Sequence, residues 1–232
     1  MPSKEEIEME NERRSYVVAH TKEYVGARDD QVHIFKTSAN YNNLFPVDIA
    51  VFEPTVEFDG FVVSTVGLSE YRFSPDVARA ELVMVLPATY KMSFEKPEYG
   101  WVINFMAHMA QACIADNVGV QIGQIYTFSK DGKPCFDGTD CISGLISFPE
   151  MFPLEYFEEK IGITYTHFLQ VVPLNQNRLA KLREVGLETF LDYDLHDAEG
   201  PLMFAPEPRK VQSQSAIDKI ISHNEDVLND KN

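Results

Sequence analysis

Glu81-Leu-Val-Met-Val-Leu-Pro87 carries five consecutive apolar residues between a glutamate and a proline. A strand with one wet face alternates apolar and polar positions, so this unbroken run fits a strand covered on both faces. Upstream lie two more segments of the same character. Asp48-Ile-Ala-Val-Phe-Glu-Pro-Thr55 is β-branched and aromatic, and Pro54 marks its end. Phe58 to Ser69, FDGFVVSTVGLS, is entered through an Asp59-Gly60 turn and broken near Gly67. Before both, Gln31 to Lys36 alternates apolar and polar residues and predicts a strand.

Downstream the period changes. Trp101, Val102, Phe105, Met106, Met109, Ala110 and Cys113 recur at three- and four-residue steps, which predicts a helix with one apolar stripe. Gly119 and Gly123 loosen the chain after it. QIYTFS and ISGLISF then flank a turn-rich stretch, Lys130 to Asp140. Thr166 to Asn175, THFLQVVPLN, is another buried strand, followed by a helix over about Gln176–Val185 that Gly186 stops. Near the start, Ser15 to Tyr24 predicts a short helix with Tyr16, Val17 and Tyr24 on one face and Gly26 as its stop.

These segments divide the chain into a charged lead-in over residues 1–14, one domain over 15–205, and residues 206–232 as a linker with a possible C-terminal helix. The tail opens with Pro206, Pro208 and VQSQS, and Ile217, Ile220, Ile221, Val227 and Leu228 form a weak helical stripe beyond them. The 16 Phe, 10 Tyr and one Trp are ample for a core.

No apolar run approaches the roughly 20 residues of a membrane-spanning helix, and the charged start has no signal-peptide core. With three cysteines and no CxxC pair, the expected compartment is a reducing cytoplasm. The six histidines are scattered, without HExxH or a Cys/His cluster, so no metal site is expected. There is no phosphate-binding glycine loop and no GxSxG elbow. His108 and Cys113 lie on the same predicted helix, but five residues turn them about 140° apart, which argues for a half-buried histidine and a core cysteine instead of a catalytic pair. No catalytic residue and no cofactor is expected, and the chain reads as a binding protein, not an enzyme.

Charge points the same way. Thirty-six acidic residues against 20 basic ones leave a formal charge of −16. Such a chain repels nucleic acid and anionic membrane and attracts a cationic partner. The acids concentrate in windows without lysine or arginine. Between Lys36 and Arg72 stand Asp48, Glu53, Glu57, Asp59 and Glu70. Between Lys133 and Lys160 stand Asp137, Asp140, Glu150, Glu155, Glu158 and Glu159, with Phe148, Phe152, Tyr156 and Phe157 among them. Between Arg183 and Arg209 stand Glu184, Glu188, Asp192, Asp194, Asp197, Glu199 and Glu207, with Phe190 and Tyr193. Rings supply burial and carboxylates selectivity on a protein-binding face, although acids facing out and rings facing in would give the same composition. The candidate partner-binding residues are Glu155, Glu158, Glu159, Asp192, Asp194 and Asp197.

In this order and spacing, PVDIAVFEPT (46–55), VSTVGLSE (63–70), ELVMVLP, the helix opened by Trp101, and FLQVVPLN (168–175) before a Gly186-ended helix resemble the suppressor-of-fused domain family. Tyr24-x-Gly26 is similar too, and the likeness covers about residues 16–195. The resemblance implies an α+β fold: a mixed, largely antiparallel β-sheet packed with helices, in a single suppressor-of-fused-like domain. Two positions depart from the family pattern: Arg178 stands where a glutamate is usual, and Gly123 is followed by Gln124. The length resembles the bacterial single-domain branch, which implies an immunity protein, or antitoxin, that binds a cognate toxin, here a basic one. A regulatory or scaffold protein with a non-toxin partner is the alternative, and an unrecognised enzyme a third.

Overall fold

The computed structural model describes residues 4–37, 46–71, 73, 79–93, 97–129, 131–149, 152, 156, 158–161 and 164–191. Its strands are β1 (Val32–Phe35), β2 (Asp48–Phe52), β3 (Gly60–Val66), β4 (Arg79–Pro87), β5 (Ile125–Thr127), β6 (Ser143–Ser147), β7 (Glu158–Ile161) and β8 (Thr164–Leu174). They form one sheet in the order β1-β2-β3-β4-β8-β6-β5, with β7 also beside β8. Every pairing is antiparallel except β4 with β8, whose parallel register runs from Arg79↔Thr166 to Val83↔Gln170. The fold is therefore α+β with a mixed, largely antiparallel sheet, as expected.

The apolar run in β4 sits at the centre of this sheet because both of its faces are covered. Leu82, Met84 and Leu86 pack in the cluster under α2 (Pro97–Asp116), while Val83 and Val85 pack on the opposite face under α1 (Lys4–Val25). The seven residues of the predicted α2 stripe, Trp101 to Cys113, are each at most 1% exposed. Burying each large side chain of this stripe contributes about 1.5–3 kcal/mol. Close approach is possible because β6 presents Gly144 to the helix: a Cβ there would collide with the Met109 thioether and the Phe105 ring.

A third cluster joins Leu145, Val172 and Leu174 to Leu179 and Leu182 of α3 (Gln176–Val185) and to Phe190. The Asn175 side chain caps α3 by accepting the Arg178 N–H at 2.9 Å. Gly186, at φ +83°, ends it in a backbone region that favours glycine.

Helix α1 begins at Lys4 and so takes in most of the residues read from sequence as a lead-in. Among its described side chains, from Glu12 on, the buried positions are Val17, His20, Thr21 and Val25, with Tyr24 half-buried. Tyr16 does not share that face and is 54% exposed, because one residue turns the side chain by about 100°. The C-terminal segment read as a linker and helix, 206–232, lies outside the described residues.

Candidate acidic interaction site

Strand β7 places two of the candidate acids side by side. Consecutive strand residues point to opposite faces, so Glu158 and Glu159 diverge. Glu158 lies directly across from His167 of β8, and its Oε2 meets the His167 Nε2 at 2.7 Å. Glu159 lies across from Thr166 and reaches the α1 side, where its Oε2 is 3.4 Å from His20 Nδ1. Both glutamate side chains remain over two-fifths exposed. Glu155, Asp192, Asp194 and Asp197 lie outside the described residues.

The His20 ring is fixed by its neighbours. It stacks on the Tyr156 ring at 4.8 Å and 15°, with Phe168 4.4 Å and Tyr24 5.1 Å away, centroid to centroid. Its Nε2 meets the Tyr156 carbonyl at 3.1 Å, and the Tyr156 hydroxyl pairs with Thr21 Oγ1 at 3.0 Å. Burial pushes the His20 pKa below its ordinary value, against the Tyr156 carbonyl, Glu159 and Glu23, which pull it up. The Tyr156 phenol is pushed well up by burial and stays protonated. Glu158 and Glu159 therefore interact with imidazoles, and a lysine, Lys160, follows them on the strand.

The first of the windows that look unopposed in sequence is partly neutralised in space, and acids elsewhere find hydrogen-bond partners. Asp48 is buried, with its Oδ2 3.0 Å from Arg14 Nη1 and 2.6 Å from Lys36 Nζ. The Arg14 guanidinium also clasps both oxygens of Glu70, at 2.9 and 3.2 Å. His33 meets Glu53 at 2.8 Å, and Asn175 donates its amide to Asp140 at 2.9 Å. Of these groups only Lys36 borders a window; Arg14 comes from α1.

Sequence reasoning also missed a buried carboxylate. Glu81 is 0% exposed and accepts hydrogen bonds from the backbone N–H groups of Gly67 (2.9 Å), Leu68 (3.3 Å) and Ser69 (3.1 Å), and from the hydroxyls of Thr65 (2.5 Å) and Ser69 (2.7 Å). Burial pushes its pKa up and these donors hold it down, with burial the larger effect. It ties the bend after β3 to β4 and faces no solvent, which makes it an internal anchor.

His108 is exposed, donates Nδ1–H to the Asn104 carbonyl at 2.7 Å, and packs edge-on against Phe136. Cys113 is buried in the core. Among the described residues no three His, Cys, Asp or Glu side chains are grouped to hold a metal ion, and no helix is long and apolar enough to cross a membrane.

Known proteins place this fold in a family. A suppressor-of-fused homolog of Neisseria gonorrhoeae shares the fold with a TM-score of 0.60 at 18% identity, over 87% of this chain and 98% of that one. A chain of the Sufu–Fu complex superposes with a TM-score of 0.59 at 14% identity, over 91% and 96% respectively. None of the curated proteins matches the chain. The Suppressor of fused protein (SUFU) family matches residues 44–207, a span that contains β2 to β8, the Glu81 anchor and both β7 glutamates, so the chain belongs to the suppressor of fused family.

Proposed function

We infer that this chain is a non-catalytic binding protein, an immunity protein that neutralises a cognate basic toxin by covering it. The observation that carries the reading is strand β7, which leaves Glu158 on one face and Glu159 on the other, each over two-fifths exposed, on a chain of net charge −16. Negative potential on both sides of this strand, added to that of the whole chain, steers a cationic surface into contact and speeds association. Glu155, Asp192, Asp194 and Asp197 extend the proposed acidic set. A regulatory role with a non-toxin protein is the second reading, supported by the likeness to Sufu, which is in complex with Fu in its own crystal structure. Neither reading requires a cofactor, a nucleic acid or a membrane, and both fit a cytoplasmic protein.

The test is capture of the partner from the native cell, then binding to it by charge-reversed variants. Glu158→Lys with Glu159→Lys is expected to weaken binding roughly tenfold or more, mostly through slower association that salt no longer modulates. Asp192→Lys with Asp194→Lys tests the second group. Unchanged affinity for every reversal sinks the electrostatic mechanism. A toxin gene beside this one, and rescue of cells expressing it, separates immunity from regulation.

A further inference from the structure

The contacts of His20 assign its protons by geometry. A carbonyl oxygen can only accept, so the nitrogen facing Tyr156 O, Nε2, carries a hydrogen. The other nitrogen, Nδ1, then faces the Glu159 carboxylate at 3.4 Å. With a neutral ring, a lone pair meets a carboxylate oxygen and no hydrogen lies between them. With one more proton, Nδ1–H donates to Oε2 and the contact becomes a charge-assisted hydrogen bond. The two protonation states therefore ask for different positions of Glu159, whose side chain is 43% exposed and has room to leave.

We propose that His20 is a proton-operated latch on strand β7: a proton at Nδ1 draws Glu159 onto α1, and its loss frees the carboxylate for a cationic partner. The ring itself cannot follow, because it is stacked on Tyr156 and hemmed by Phe168 and Tyr24. Among the described residues the charged groups acting on it are Glu23 from its own helix and Glu159 from β7, both favouring the proton, and burial opposes them. The neighbouring Tyr156 phenol does not titrate in this range, since burial pushes it well up. Near and above the ordinary histidine value the latch is open.

The sign for stability follows from the same shift. A histidine with a lowered folded pKa binds fewer protons folded than unfolded, so its stabilisation is complete above about pH 6.5 and is lost as pH falls through the folded pKa. Glu159 limits that loss by favouring the imidazolium. The corresponding residue on the other face, Glu158, touches His167 and not His20.

The role of the freed carboxylate toward a partner rests on the binding function proposed above; the latch does not. The test is an NMR titration of the full chain between about pH 4 and 8, reading the His20 Cε1–H and the Glu159 carboxyl carbon. Glu159→Gln is expected to lower the His20 pKa while Glu158→Gln leaves it in place, and in the unmodified chain the Glu159 carbon shifts in step with His20. A His20 pKa unmoved by Glu159→Gln, or lowered equally by both variants, overturns the latch. Because this readout uses no partner, the latch can fail while the charge reversals still weaken binding, and the reverse.

Discussion

Ser69 donates twice to Glu81, through its backbone N–H at 3.1 Å and its hydroxyl at 2.7 Å, both to the same carboxylate oxygen. Together with Thr65, Gly67 and Leu68 this surrounds a fully buried carboxylate with donors. Removing the acceptor leaves several buried N–H and O–H groups without it, and each such group costs about 1–3 kcal/mol. Glu81→Ala is therefore expected to lower unfolding free energy by roughly 3 kcal/mol or more, measured by denaturant titration. Ser69→Ala, which keeps the backbone donor, should cost less. A loss under about 1 kcal/mol for Glu81→Ala would show that the bend does not depend on this carboxylate.

The contrast between Glu81 and Glu158–Glu159 shows what sequence pattern conveys. The apolar run after Glu81 announced a strand covered on both faces, and β4 is one. Nothing in that run announced that its first residue would be buried, because the donors arrive from residues 65–69 once β3 and β4 pair. The α2 stripe was legible for a simpler reason: its spacing depends on the helix alone. Strand β7 was illegible, since EEKI has no alternation and becomes a strand by pairing with β8. Charge windows misled where cations came from afar: Arg14 is 34 residues before Asp48 and 56 before Glu70. Of the six acids singled out, two fall on described residues, and their histidine partners lie on α1 and β8.

Gly144 makes a prediction about helix–sheet distance. A Cβ at this position would occupy the space of the Met109 thioether and press on the Phe105 ring at 3.0 Å. Both neighbours are fully buried, so neither has free volume to move into. Gly144→Ala is expected to destabilise by about 1–3 kcal/mol through overpacking. The thioether is the flexible partner, so adding Met109→Ala should recover part of that cost relative to Met109→Ala alone. A double-mutant cycle reads the coupling directly; additive effects would place the strain elsewhere.

The three cysteines should separate by reactivity. The thiolate is the nucleophile, so both access and pKa govern labelling. Cys113 and Cys141 are 0% exposed, and burial pushes each thiol up to about 12. Near neutral pH neither presents a thiolate to solvent. Cys135 is exposed, but partial burial and the Asp131 carboxylate also raise its pKa. In the native chain a disulfide-exchange reagent should therefore label one thiol, more slowly than free cysteine, and the other two only after denaturation. Asp131→Asn should speed the accessible thiol by removing the opposing charge. Labelling of two or more thiols at one rate in the native state would mean that the α2 face of the core opens as readily as the loop carrying Cys135.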